Sequence, residues 1–271
     1  MKIKQRLMTL ALLAFALQFV IIHAAAQNPK PTIVIVHGAW GGAWAFRKVD
    51  AELRAKGYNV YRPQLTGLGD RVHLARPDVG LNTHIEDVVN TILFEDLHDI
   101  VLVGHSYGGM VITGVADRIQ DKIRALVYLD AFIPEHGDSL IGLLNKALAP
   151  EVAAQFIGAF RGTALENHCG LMQPIPAEVF NVAQGNRAWV DRRCRPQALA
   201  TFESPLLLTG EHAKVPRRLY ILADGWDPSP FRHFAAQVDG KPGWKLTKLP
   251  VGHDVMVDMP QQLADELTAL L

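Results

Sequence analysis

Short apolar runs recur along this chain at regular intervals, and stretches of helical periodicity separate them. "TIVIV" at 32–36 is β-branched at every position and "IVLV" at 100–103 apolar at every position, and 123–129 is another strand candidate. Residues 59–65, 218–223 and 245–249 are further strand candidates. A run that is apolar at every position is buried on both faces, which happens in a parallel sheet covered by helices. Residues 44–56 read as a helix ended by Gly57. Thr83-x-x-Glu86 is a capping-box signal, followed by Ile85, Val88, Val89, Ile92 and Leu93 at helix spacing. Residues 109–119 and 231–238 read as helices, and Asp258 is placed to cap a last helix from Pro260. Regular strand–helix alternation predicts an α/β fold with a doubly wound, mostly parallel sheet.

Residues 134–214 break the rhythm. They carry helical stretches, such as 140–148, and no strong buried-strand run. The segment is too long for an ordinary connection. It reads as a helical cap inserted above the sheet, the lid of a pocket. Phe156, Phe160, Leu165, Leu171, Met172, Phe180 and Trp189 are its candidate lining residues.

The first 26 residues read as a removable leader. Lys2, Lys4 and Arg6 precede an apolar run from Leu7 to Ile22, and "HAAAQ" supplies small residues for cleavage after Ala26. The run is short for a membrane span of about 20 residues, so an uncleaved anchor is the lesser alternative. The expected product is a domain of residues 27–271, periplasmic or secreted, with no stable membrane insertion. The whole chain has 27 basic and 27 acidic residues, and the leader holds three of the basic ones. The remainder, 24 against 27, is net −3 with histidines neutral, which is no footprint for nucleic acid. Cys169 and Cys194 fit no zinc pattern. In an oxidising compartment they could pair, and the sequence leaves that open.

The strand at 100–103 runs directly into Gly104-His105-Ser106-Tyr107-Gly108-Gly109 and then into a helix. That strand–turn–helix context is what a nucleophile elbow needs. The turn must lack bulk beside the serine, and Gly104 and Gly108 meet that demand. Ser106 is therefore the candidate nucleophile. Its base should follow the last strand, where "LPVGHD" places His253. The acid is less fixed. Asp130 ends the strand after the nucleophile, where a charge is costly unless paired, and it is favoured. Asp227 and Asp224, in "LADGWDPSP" after the penultimate strand, are alternatives. Backbone N–H groups of Ala39 and Tyr107 are the expected oxyanion donors. His37 reads as a brace for the first loop, and Trp40 as a floor for the pocket.

The segments "IVIVHGAWGGAWAF", "VLVGHSYGGMV", "LVYLDAFIPEHGDS" and "LPVGHDVMVDMPQQLADEL" together resemble the α/β-hydrolase superfamily. The branch they look like holds plant methyl esterases, hydroxynitrile lyases and many bacterial esterases. The resemblance implies the same nucleophile, base and oxyanion donors. It leaves the acid open, because family members usually carry it after the penultimate strand, where the register here is shifted. Lyases of this branch tend to carry a threonine in the first loop and a lysine after the histidine. Here Gly38 and Asp254 stand instead.

The expected function is hydrolysis of a small-molecule carboxylic ester, or a lactone or thioester, without metal or organic cofactor. A ligand-binding protein with little turnover is the alternative class, and a lyase-type enzyme a weaker one. No H-E-x-x-H spacing occurs.

Overall fold

The computed structural model describes residues 30–166 and 169–269, so the leader lies outside the described residues. In chain order the elements begin with β1 (Thr32–Val36), α1 (Arg47–Ala55), β2 (Val60–Tyr61), α2 (Leu81–Phe94), β3 (Ile100–Ser106), α3 (Gly108–Arg118) and β4 (Ile123–Ala131). Then come α4 (Leu140–Ala147), α5 (Pro150–Glu166), β5 (Leu171–Met172), α6 (Gln184–Asp191), β6 (Gln197–Ala198) and α7 (Ala200–Glu203). The chain closes with β7 (Arg217–Ala223), α8 (Phe231–Val238), β8 (Trp244–Leu249), α9 (Val255–Asp258) and α10 (Pro260–Ala269).

Six strands form one sheet in the order β2-β1-β3-β4-β7-β8, and every neighbouring pair is parallel. The apolar runs make its centre: residues 33–36 and 100–103 are all at most 1% exposed. The chain winds outward from β1 to β2, then crosses to β3 and winds the other way. The carboxyl ends of β1 and β3 flank that reversal, the place where open α/β sheets leave a crevice.

Several expectations shift in detail. The strand at 59–65 shrinks to two residues. It is an edge strand with β1 on one side alone, and Pro63 follows with no N–H to donate. The capping box does not form: α2 begins at Leu81 with Gly80 as N-cap and no side-chain cap. Burying Leu81, at 1% exposure, draws the start three residues earlier, and Leu93 is 47% exposed near the end of the helix. Asp258 does not cap α10. It ends α9, and its carboxylate accepts from the N–H of Ala183 and from Asn186 Nδ2.

Residues 132–216 leave the sheet after β4 and return into β7. They hold α4 to α7 and a two-stranded antiparallel ladder of β5 and β6. The insertion has a tied neck: Gly137 N–H donates to Leu206 O and Leu206 N–H to Asp138 O, both at 2.8 Å. Just beyond, the Asp117 carboxylate on α3 accepts from the N–H groups of Thr209, Gly210 and His212, the Thr209 hydroxyl and His212 Nδ1. Partial burial works against the charge, yet these donors hold Asp117 well below the usual carboxylate range. The return limb is thus fastened to the helix that follows Ser106.

Helix α3 also sets how close the chain passes the elbow. A Cβ at Gly109 would lie 2.1 Å from Phe132 O, whereas one at Gly158, exposed on α5, would meet nothing within 4 Å. Gly109→Ala is therefore expected to destabilise by about 1–3 kcal/mol through overpacking, and Gly158→Ala to stabilise by about 0.5–1 kcal/mol through helix propensity. Urea denaturation of the two variants checks the pair of signs.

Candidate active site

Ser106 is the last residue of β3 and has φ +55°, a left-handed conformation that a serine adopts only under constraint. The constraint is the tight passage around it. A Cβ at Gly104 would lie 2.6 Å from Gly108 O, and one at Gly108 would lie 2.8 Å from Val36 O. The strand therefore turns at once into α3, and the serine projects above the carboxyl end of the sheet.

Asp130 reaches the same place through a bulge. Across the β3–β4 ladder His105 faces Leu129 and Ser106 faces Ala131, which leaves Asp130 without a partner and at φ +41°. The extra residue breaks the alternation and re-aims the carboxylate. It is fully buried. Three donors converge on it: His253 Nδ1 at 2.7 Å, the Ala223 N–H at 3.0 Å and the Trp226 indole N–H at 3.0 Å.

His253 follows β8 and is held on all sides. Its N–H donates to Phe180 O at 2.9 Å, and its own carbonyl accepts from His105 Nε2 at 3.1 Å. The Phe231 ring stacks on the imidazole, 5.0 Å between centroids and 7° from parallel. Burial lowers His253 to about 3, so the ring is neutral near pH 7. Burial pushes the Asp130 carboxyl up, against the pull of the Trp226 and Ala223 N–H groups. A proton on His253 Nδ1 donated to Asp130 leaves Nε2 as the free base of the pair. A neutral imidazole oriented in this way beside an elbow serine is equipped to take a proton from that serine.

Asp227 is elsewhere. Its side chain is 76% exposed and faces Arg232 Nε at 3.4 Å, and Asp224 also pairs with Arg232. The register shift read in that loop has a physical reason: Trp226, between the two, turns inward to Asp130 while both acids turn out to the arginine.

Ala39 and Tyr107 border the cavity at Ser106, with Trp40 beside them. His37 braces the first loop as read from sequence: Nδ1–H donates to Gly38 O, and Nε2 accepts from Gln64 Nε2 and the Leu65 N–H. A Cβ at Gly38 would lie 2.7 Å from His105 Nδ1, so the packing of His105 demands glycine there. Ser106 and His253 open onto two cavities. One, of about 460 Å³, is walled by apolar side chains including Leu144, Phe156, Phe160, Phe202, Trp226 and Phe231. The other, of about 540 Å³, is bounded by the first loop, Trp44, Cys194 and Asp254.

Of the residues expected to line the pocket, Phe156, Phe160 and Phe180 do. Leu165 is 71% exposed, Met172 is wholly buried, and neither these nor Leu171 and Trp189 border the two cavities. The helix and ladder of the insertion have an outer surface and a core of their own, which hydropathy does not separate. Cys169 and Cys194 are both free thiols, so the open question of a disulfide resolves to two thiols. Among the described residues no group of three or more His, Cys, Asp or Glu could hold a metal ion.

Sequence reasoning missed His84, His105, Trp226 and Phe231. His84 Nε2–H donates to Thr66 O, and its Nδ1 accepts the Tyr107 hydroxyl at 2.9 Å. A histidine within an apolar run, such as His105 after "IVLVG", was the available signal.

Burial lowers His37 to about 4 and also lowers His84 and His105. All three are neutral when folded and take up a proton near the ordinary 6.5 when unfolded. Burial, with Asp258, Asp130 and Asp191 nearby, raises Asp254 to about 7, so it opposes them over the same range. With His253 the lowered histidines number four, and with Asp130 the raised carboxyls number two, so the unfolded chain binds more protons. Stability is then full above about pH 6.5 and falls as pH drops toward 4, by up to about 3 kcal/mol per pH unit. Calorimetric melting between pH 7 and 5 tests this; a flat Tm would mean these histidines are not neutral in the fold.

The model of the alpha/beta hydrolase family matches residues 33–266. The chain is 65% identical over 237 residues to a carbendazim hydrolyzing esterase of Nocardioides sp. (strain SG-4G), covering 88% of this chain and 98% of that protein. It is 27% identical to a pyrethroid hydrolase of Sphingobium wenxiniae, over 87% of this chain and 85% of that one. With methylesterase 2 of Arabidopsis thaliana it shares 32% identity over 119 residues, 42% of this chain and 45% of that protein. Among solved structures, an extracellular alpha/beta-hydrolase from a Paenibacillus species has a TM-score of 0.75 at 21% identity, over 89% of this chain and 99% of that one. That last likeness is one of fold.

Proposed function

The chain belongs to the alpha/beta hydrolase family, and from that premise we propose that it cleaves carboxylic esters through an acyl-enzyme on Ser106. The chain is a carboxylic ester hydrolase by its likeness to a named esterase over nearly that protein's whole length. The single observation that carries the mechanism is the 2.7 Å bond between Asp130 and His253 beside the strained serine.

In this reading His253 Nε2 takes the Ser106 proton as Oγ attacks the ester carbonyl. The oxyanion rests on the N–H groups of Ala39 and Tyr107, each worth about 3–4 kcal/mol in comparable enzymes. His253 then protonates the departing alcohol. Water, deprotonated by the same ring, attacks the acyl carbon and frees Ser106. Asp130 fixes the Nδ1–H tautomer and balances the imidazolium. The insertion acts as a lid, its phenylalanines walling the acyl cavity. The substrate class is a small alkyl ester of a flat aromatic acid or a small alkyl carbamate of a flat aromatic amine; the aromatic walls and the carbendazim that the 65% identical relative hydrolyses support it.

Hydrolysis of carbendazim and of p-nitrophenyl butyrate by wild type and three variants is the test. Ser106→Ala is expected to lose about 10⁵–10⁶ in kcat and Asp130→Asn about 10³–10⁴, while Asp227→Asn stays within about two-fold. Turnover that survives Ser106→Ala would sink the acyl-enzyme. Export is also part of the reading: the secreted or periplasmic protein is expected to begin at Gln27. Edman sequencing of the exported protein checks it, and an intact Met1 on membranes would mean an anchor.

A further inference from the structure

The insertion does more than wall the pocket: it takes hold of the first loop. Gln197 on β6 is only 2% exposed, and its Oε1 accepts the Trp40 N–H at 2.8 Å. Its Nε2 donates to Thr201 Oγ at 2.8 Å, and the Thr201 hydroxyl donates to Ala198 O at 2.7 Å. Turned over, the amide would set its own N–H groups against the Trp40 N–H, so the network fixes its orientation. Two residues earlier, the Arg195 N–H donates to Trp40 O at 2.8 Å. Both polar groups of the Trp40 backbone are thus held by the insertion. Trp40 has φ +56°, which a bulky residue keeps only where its surroundings over-determine it.

A trans peptide points its C=O and N–H in opposite directions, so these bonds orient consecutive peptide planes. His37 Nδ1–H holds Gly38 O, which turns the Ala39 N–H away from His37. Gln197 holds the next plane and Arg195 the one after it. The loop so oriented lies against the serine: a Cβ at Gly38 would be 3.1 Å from Ser106 Cβ. Among the described residues the Ala39 N–H donates to no acceptor. The Phe202 ring on α7 packs 5.6 Å from the Trp40 ring and 5.7 Å from the Tyr107 ring. One limb of the insertion therefore touches the loops that carry both expected oxyanion donors. Resting on the ester-hydrolase reading, we propose that Gln197 is a positioning residue for the oxyanion hole. It fixes the Ala39–Trp40 peptide, and through that plane the aim of the Ala39 N–H at the oxygen that becomes charged. Thr201 holds Gln197 in turn.

An oxyanion is a stronger acceptor than the ester carbonyl it comes from, so a mis-aimed donor costs the transition state more than the bound substrate. Steady-state hydrolysis of p-nitrophenyl butyrate reads this as a split between kcat and KM. Gln197→Leu is expected to lower kcat about 10- to 100-fold, less than deleting a donor outright, with KM within about three-fold of wild type. Gln197→Glu, which keeps an oxygen for the Trp40 N–H, recovers part of kcat. Thr201→Val, which frees the amide to turn, lowers kcat about three-fold or more and reports even if Gln197→Leu fails to fold. A trifluoromethyl ketone, whose adduct with Ser106 places an oxyanion in the hole, loses affinity for Gln197→Leu in step with kcat/KM. Folded Gln197→Leu and Thr201→Val proteins with unchanged kcat overturn the proposal. So does a rise in KM at unchanged kcat, which would make Gln197 a prop of the substrate cavity, or a loss of kcat without a matching loss of ketone affinity. A wild type that does not turn over the ester fails the ester-hydrolase reading and the proposal with it. A wild type that does, beside an inactive Ser106→Ala and an unaffected Gln197→Leu, fails the proposal alone.

Discussion

A carboxylate with no solvent exposure sits at the end of an apolar sheet, and the rest of the site is arranged around that fact. Asp130 is tolerable there because donors from three segments reach it: the end of β7, the loop carrying Trp226 and the loop after β8. Removing one partner of such a group leaves a buried charge or dipole uncompensated, typically at a cost of about 3–5 kcal/mol. The network therefore does two things at once. It registers the carboxyl ends of β4, β7 and β8 against one another, and it fixes which nitrogen of His253 carries the proton.

The neutral histidines extend the same logic outward. His37, His84 and His105 are each buried; the first two have both ring nitrogens matched to partners, and His105 is bonded through Nε2. His84 props Tyr107, the residue after Ser106, and His105 holds the carbonyl of His253. An imidazole can donate on one side and accept on the other, and His37 and His84 each use both sides to join segments that no strand ladder joins. Charging His37 or His84 would break the bond that its ring accepts.

Much of this was legible in the chain. Consecutive apolar residues gave the central strands because burial on both faces leaves no room for alternation. Glycines beside Ser106 marked the elbow because only hydrogen fits against Gly108 O and Val36 O. Asp130 stood out because a charge ending an apolar strand must be paired. The failures have causes as clear. The capping box at Thr83 lost to the burial of Leu81, a tertiary term that local sequence does not carry. Asp227 looked suitable by chain order, yet order does not say which of three neighbouring side chains turns inward, and Trp226 does. In the insertion, Leu165 and Met172 look alike by hydropathy and end on opposite sides of its core.

The neck of the insertion has an entropic consequence. Gly137, Asp138 and Leu206 tie its two limbs together, and Asp117 fixes the return limb to α3. Everything between is thermodynamically a loop whose ends are already closed. For such a loop, doubling its length adds only about 0.6 kcal/mol of closure cost. Segments beyond the neck can be lengthened or shortened while Ser106 and Asp130 keep their places, provided Phe180 stays, because its carbonyl accepts from the His253 N–H. The fold thus leaves inexpensive to rewrite those parts of the insertion that make no bond to the loops around Ser106.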